Sequence, residues 1–540
     1  MPRETLFLSG ESQTGEKSSP VILPFVLSRE ISPPWTQAIR VWLAMATFFI
    51  EQFGCRATQA DAAAIERQLR ERGYAASRDA HSADVVVVNT CTVTAAADLQ
   101  ARQAIHTIHR DNPAARIVVT GCYAQRAPEE LATFSGVAWV VGNSHKPEIP
   151  RLIGEMMPVS PQGQAGGFVL LTTVVRGEPL ATIARGGPLV AIGGCEPHAM
   201  IVRGEPAAPT TKESLSLECG PAKILIGNIV EQRELFFAPI EGSEAGHTRP
   251  VLKIQDGCDS RCSFCVIPQV RGRSRSLAPD RVVEEIRKLA ESGAREIVLS
   301  GIHLGSYGRD LKPRAGLREL LRRVVEETPI ERLRVSSIEP MDVTEDLIAL
   351  FAASGRLARH FHMPMQSGSD RILAAMHRWY RAEHYARHAE LVREWLPDAA
   401  IGADVIAGFP GETEEDHRAT LALIEGLPIT YLHVFSFSPR PGTKAAELQG
   451  HLPGDVIARR ARELRALGEE KQSAFRAAQV GGTLRVLTLH RDGEDFAGPW
   501  TGALSGNYAN VRVEGRWAAN QFLDVQITGE RAGHLAGAAI

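Results

Sequence analysis

Cys258, Cys262 and Cys265 lie in the run Gly257-Cys258-Asp259-Ser260-Arg261-Cys262-Ser263-Phe264-Cys265, a C-x3-C-x2-C spacing with no fourth cysteine close by. Thiolates at this density are soft ligands that suit iron–sulfur clusters or zinc. A structural zinc site is closed by four ligands, so zinc here would need a remote histidine or cysteine. Three ligands on one short loop would instead leave one iron of a [4Fe–4S] cube open to bind something else. Disulfide pairing fits poorly, because three closely spaced thiols cannot all pair and nothing in the chain looks secreted.

A second set emerges from the elements that must carry it. From about residue 46 to 150, strand-like runs at Thr47–Phe53, Val85–Val88, Arg116–Thr120 and Val137–Val141 alternate with helical segments near Gln59–Arg72, Thr94–His109 and Ala127–Thr133. Such alternation implies a parallel sheet. Cys55, Cys91 and Cys122 each fall just past the end of one of the first three strands. In an open α/β sheet the strand carboxyl ends share one edge, where ligands bind. Cysteines about 30 to 36 positions apart in sequence would therefore converge in space. Cysteine is also a common buried residue, but three such placements in a row, two of them preceded by glycine, favour ligands over core.

The chain has 540 residues, a net charge of −3 and eight cysteines. That is too few cysteines for a disulfide scaffold, and their clustering suggests metal in a reducing compartment, the cytoplasm. The near-neutral charge neither requires nor excludes nucleic acid, since a local basic patch is enough. The most apolar stretch, Val41–Ile50, is too short to span a bilayer. Residues 1–45 read as an extension outside the fold, with Met45 as an alternative start. Residues 157–222 read as a Gly/Pro/Ala-rich insertion or linker holding a repeated Arg-Gly-Glu-Pro and the incidental Cys195 and Cys219.

Over 245–479, strand-like runs at Leu252–Gln255, Glu296–Ser300, Leu333–Ser337, His360–Pro364, Ala400–Ala407 and Tyr431–Phe437 alternate with amphipathic helices. Six such units predict a partial TIM-type (β/α)6 barrel with its site at the strand carboxyl ends, where the cysteine loop emerges. A long charged helix, about Asp455–Gln479, follows. Short alternating runs at Leu484–Leu489, Ala509–Val513 and Phe522–Ile527 predict a small all-β barrel over 480–540. The fold class is thus α/β: an open parallel sheet, a partial barrel, and a small β-barrel.

C-x3-C-x2-C with an aromatic before the last cysteine resembles the signature of the radical S-adenosylmethionine (SAM) superfamily. The order of parts resembles one family within it, the methylthiotransferases, whose terminal barrel (the TRAM domain) binds RNA. The resemblance spans about 46–150 and 223–540. It implies that Cys258, Cys262 and Cys265 hold the cluster that binds SAM and cleaves it to a 5′-deoxyadenosyl radical. Through Gly54-Cys55, Asn89-Thr90-Cys91 and Gly121-Cys122 it implies that Cys55, Cys91 and Cys122 hold an auxiliary [4Fe–4S] cluster. Thr58 departs from the family, which often carries asparagine there. The strings Val141-Gly142-Asn143-Ser144-His145-Lys146, Ser300-Gly301-Ile302-His303-Leu304-Gly305-Ser306-Tyr307-Gly308, Ser336-Ser337-Ile338-Glu339-Pro340 and Phe437-Ser438-Pro439-Arg440-Pro441-Gly442-Thr443 resemble the threonylcarbamoyladenosine branch.

The implied reaction is methylthiolation of C2 of that nucleoside next to the tRNA anticodon, using SAM as both methyl donor and radical source. The family alternatives are isopentenyl-adenosine in tRNA and an aspartate of a ribosomal protein. The implied partners are tRNA, an electron donor and a sulfur donor, with no membrane and a monomeric state. Secondary candidates are Gly301 and Gly408–Glu412 around SAM, Arg271, Arg273 and Arg275 for phosphate, and Tyr508, Trp500 and Trp517 for base stacking.

Overall fold

The structure, a computed structural model, describes residues 46–157, 222–237 and 248–540. The extension 1–45, most of the insertion, its repeated motif, Cys195 and Cys219 lie outside the described residues. Six parallel strands form the first sheet, in the order Ala75–Ala76, Thr47–Gln52, Val85–Thr90, Arg116–Gly121, Val137–Gly142, Lys223–Leu225. The central strand Val85–Thr90 is buried throughout, which its run of four valines requires. Helices Arg56–Glu71 and Ala95–Asp111 pack on opposite faces, each over its own apolar cluster. The edge strand Lys223–Leu225 was not legible as a strand. Three residues beyond a long Gly/Pro-rich stretch carry no period, and only pairing with Trp139–Val141 defines them.

The second unit carries strands Val251–Lys253, Glu296–Ser300, Arg332–Val335, His360–His362, Ala400–Ala407 and Tyr431–Ser436 as two parallel three-stranded sheets. Parallel bridges Leu333–Leu357 and Ser337–His362 join them into one six-stranded partial barrel. Alternate strand residues such as Phe361, Ile401, Ala403 and Val405 enter the large core under the helices. The other set, His360, His362, Gly402, Asp404, Tyr431 and His433, faces the barrel interior. Helix Gly454–Ala477 leads to a closed five-stranded barrel over Thr483–Ala539.

That last barrel plugs the amino-terminal end of the SAM-barrel strands. Arg332 and Arg334, at the start of Arg332–Val335, donate to the carbonyls of Leu504 and Ser505 at 3.1 and 2.9 Å. Asn507 donates to Asp398 O at 3.0 Å. Tyr508 stacks on His360 with ring centroids 4.3 Å apart. No described helix is long and apolar enough to cross a membrane.

Candidate active site

Cys55, Cys91 and Cys122 sit side by side because their strands do. Thr47–Gln52 pairs with Val85–Thr90, which pairs with Arg116–Gly121, and the last partners in register are Gln52–Asn89 and Thr90–Gly121. Cys55 caps helix Arg56–Glu71, and Cys122 opens the short helix Cys122–Arg126. The approach of the loops demands glycine. Gly54 has φ +103°, and a Cβ there would meet Cys91 Cβ at 2.6 Å and its Sγ at 3.0 Å. Thr58, the departure from the family pattern, donates its hydroxyl to Cys55 O at 2.6 Å, and its own carbonyl accepts from Asn89 Nδ2 at 2.8 Å. The substitution keeps the loop tied.

The Cys258–Cys265 loop is pinned at three places. Its base is a two-residue antiparallel ladder, Gln255–Asp256 with Arg275–Ser276. Gly257, at φ +72°, has no room for a Cβ beside Arg273 O, and Cys258 N donates to Gly272 O at 3.0 Å. Its middle is held by Ser263, whose amide and hydroxyl donate to Met376 O and Ala375 O. Phe264 packs on the cluster of Ile372, Met376, Phe409 and Ala445.

All six cysteines are free thiols. Burial pushes Cys91 up to about 12, and Cys122 and Cys55 beside it add to the rise. Burial likewise pushes Cys265 up to about 12 and raises Cys262, against the pull of Arg378. Thiols that repel one another as thiolates in a buried pocket are stable as ligands only around a cation, which is the charge an iron–sulfur cluster supplies. Polar groups aim at the sulfurs as well. Arg378 Nη1 donates to Cys262 Sγ at 3.2 Å, Ser260 N to Cys258 Sγ at 3.4 Å, and Asn143 Nδ2 reaches Cys122 Sγ at 3.6 Å. His303 Nδ1 lies 3.8 Å from Cys258 Sγ, and its Nε2 meets Asp342 at 3.1 Å. Burial opposes charge on His303, but Asp342 and Cys258 outweigh it and raise the imidazole to about 9. The donor set fits iron–sulfur clusters at both places.

The two sets are brought against each other. Cys122 is buried among Val266, which follows Cys265 directly, and Val270 in the helix Ile267–Arg271 just beyond. Asn143 ties them by donating to Val270 O at 2.8 Å. Beneath lies a buried ionic network. Asp61 accepts from Lys146 at 2.7 Å, from Arg271 at 3.2 Å and from Lys253. Asp256 accepts from Lys253 at 2.9 Å, and Arg271 Nη1 donates to both its carboxylate oxygens at 2.9 and 3.0 Å. Burial alone would raise Asp61, yet Lys146, Lys253 and Arg271 hold it down at about 2. Lys146, which has only a share of Asp61, is lowered by burial, whereas Lys253 with two carboxylates is raised. A second lock joins Asp98 to Arg126 at 2.9 Å and to Arg440 at 2.7 Å.

Several expectations change here. Arg271 and Arg275 are buried in this network and unavailable to phosphate; Arg273 alone of the three is exposed. Tyr508 is half-buried, its ring stacked on His360 and lying under Arg334, so the chain's own groups already take its faces. Trp500 lies under Arg512, and Trp517 remains 38% exposed. Phe496, unnoticed in the sequence, is 93% exposed at the tip of the Asp495–Gly498 turn, with Arg531 over its ring. Gly301 sits tight against its neighbours, since a Cβ would meet Leu304 Cδ2 at 2.7 Å and Gln255 Oε1 at 3.0 Å. Glu412 pairs with buried Arg460 at 2.7 Å and braces its own turn. Sequence reasoning missed Arg378, Asp61, Lys253 and Asp256. Asn143, Lys146, His303, Ser337 and Arg440 had been quoted only inside the four strings, which prove to be the support of the site.

Residues 47–142 match the family described as uncharacterized protein family UPF0004, and 252–424 match the radical SAM superfamily. The threonylcarbamoyladenosine tRNA methylthiotransferase MtaB of Aquifex aeolicus is 33% identical over 86% of this chain and 96% of its own length. The tRNA-2-methylthio-N(6)-dimethylallyladenosine synthase of Syntrophobacter fumaroxidans is 33% identical over 85% of this chain and 88% of its own length. Among solved structures, the radical SAM methyltransferase TsrM of Kitasatospora setae overlaps 75% of this chain and 74% of its own, with 18% identity and a TM-score of 0.47. With a relative this similar across nearly its whole length, the chain belongs to the radical SAM methylthiotransferases of the MtaB-like kind, enzymes that work with S-adenosylmethionine and iron–sulfur cofactors.

Proposed function

We propose that this enzyme methylthiolates C2 of N6-threonylcarbamoyladenosine next to the anticodon of tRNA, in the cytoplasm, as a monomer fed by separate electron and sulfur donors. Cys258, Cys262 and Cys265 hold the SAM-binding [4Fe–4S] cluster, and Cys55, Cys91 and Cys122 hold the auxiliary one. The working division is 46–150 with its edge strand for the auxiliary site, 245–479 for the SAM site and 480–540 for RNA. The observation that carries the reading is the packing of Cys122 on Val266 and Val270, which faces one cysteine set with the other.

When bound, the cofactors supply the radical that takes hydrogen from an adenine carbon beyond the reach of acid–base chemistry, and the sulfur and methyl that replace it. The chain's own residues position and tune. Arg378 sets a cation against Cys262, His303 faces Cys258 under the hold of Asp342, and Asn143 spans the two domains. The target base belongs to a single-stranded loop, where bases can splay out of the stack.

Nucleoside mass spectrometry of tRNA with and without the gene tests this. Loss of the 2-methylthio form of threonylcarbamoyladenosine is expected. Dimethylallyladenosine-directed relatives as similar as 33% support a second reading. Loss of the methylthio form of that nucleoside instead would establish it, and unchanged tRNA would refute both.

A further inference from the structure

Inside the SAM barrel, three adjacent strands present two imidazoles and a carboxylate to one point. His362, on His360–His362, sits two residues in register from Asp404 on Ala400–Ala407, and Asp404 pairs directly with His433 on Tyr431–Ser436. His362 Nε2 is 3.1 Å from Asp404 Oδ1, and His433 Nδ1 is 3.2 Å from the same oxygen. One ligand atom from each residue lies within 4.8 Å of the others. Ligands about 2.1 Å from an octahedral ion stand about 3.0 Å apart on a shared edge, so the spacing suits a small divalent ion.

His362 supplies the independent observation. It is 7% exposed, and its Nδ1 is occupied by Ser337 Oγ at 2.7 Å, yet its buried Nε2 makes no hydrogen bond. In the tautomer that gives Nδ1–H to the Ser337 hydroxyl, the Nε2 lone pair turns toward the Asp404 carboxylate. That arrangement is repulsive until a cation comes between, and an oriented second nitrogen is what metal-binding histidines use. Gly402, next to His362 in register, is filled over by the Tyr431 ring, which a Cβ there would strike at 2.1 Å, so one wall of this level is aromatic. Asp404 and His433 are partly accessible, so the remaining coordination positions open into the barrel.

We propose that His362, Asp404 and His433 form a binding site for a first-row divalent cation, with its open positions available to oxygen donors. The two-histidine, one-carboxylate set favours Mn, Fe, Co or Zn over Mg or Ca. The site uses none of the six cysteines, and the inference is the same for either tRNA nucleoside as substrate.

Mn2+ is the probe, because it avoids thiolates and its free form is counted by electron paramagnetic resonance. Protein reconstituted with its iron–sulfur clusters should bind about one Mn2+ per chain, and Zn2+ should displace it, as the affinity order of divalent metals requires. His433→Ala and Asp404→Asn should each weaken binding at least tenfold, and Ser337→Ala by about 10- to 100-fold. Iron and sulfide contents should stay at the wild-type level in all three, which separates lost ligation from lost folding; His433 is exposed, so its variant carries the test if the others misfold. No Mn2+ bound at millimolar concentration, or binding unchanged in His433→Ala, would overturn the site.

Discussion

Removing the Asp61 carboxylate is the sharpest probe of how the two cysteine sets are held together. The network contains two carboxylates, Asp61 and Asp256, against Lys146, Lys253 and Arg271, all essentially out of solvent. Asp61→Asn keeps the volume but leaves one carboxylate for three buried cations. Breaking a buried pair costs about 3–5 kcal/mol, because the stranded charge has lost its compensation. Lys146 suffers most, since Asp61 is its sole carboxylate partner among the described residues. Anaerobic guanidinium unfolding of the reconstituted protein, followed by tryptophan fluorescence and iron–sulfur absorbance, should show that loss. Asp61→Asn/Lys146→Met should recover part of it, with a coupling of about 0.5–3 kcal/mol between the two sites. The pH dependence has a fixed sign. Asp61 is held at about 2 from its ordinary 3.8, so it contributes about 2 kcal/mol of stability. That contribution is complete above pH 3.8 and disappears as pH falls through about 2. Losses that simply add in the double variant, or an Asp61→Asn protein as stable as the parent, would refute the reasoning.

Replacing Cys258, Cys262 and Cys265 together by alanine should halve the iron and sulfide of the reconstituted protein, from about eight of each to about four, by elemental and colorimetric analysis. Arg378→Gln removes the cation beside Cys262; a redox titration followed by electron paramagnetic resonance should find the SAM-site cluster harder to reduce and the other unchanged. Gly54→Ala forces a Cβ against Cys91 at a backbone φ of +103° and should strip the auxiliary cluster while sparing the SAM-site cluster. Phe496→Ala should weaken tRNA binding about 5- to 150-fold, the loss of about 1–3 kcal/mol of stacking, measured by filter binding at fixed salt. Tyr508→Ala should instead lower the melting temperature, because that ring is packed on His360.

The cysteine spacing, strand-end periodicity and βα alternation were enough to read the parallel sheet, the partial barrel and both sulfur sets, because each is a local pattern. Thr47–Gln52, Val85–Thr90 and Arg116–Gly121 are apolar runs bounded by turn residues, and Cys55, Cys91 and Cys122 follow their ends whatever the rest of the chain does. The terminal barrel was likewise legible in its alternation, though Gly498–Ser505 and His534–Ala539 needed their partners to be defined. What no local pattern carries is pairing between distant residues. Asp61 and Lys253 are 192 positions apart, and Asp98 and Arg440 are 342 apart. Arg271 and Arg275 looked like a surface basic run because sequence reports charge, while only the packed interface decides whether that charge meets phosphate or a buried carboxylate. The same holds for His362, Asp404 and His433: three unremarked residues on three strands become one site only when the barrel lays those strands side by side.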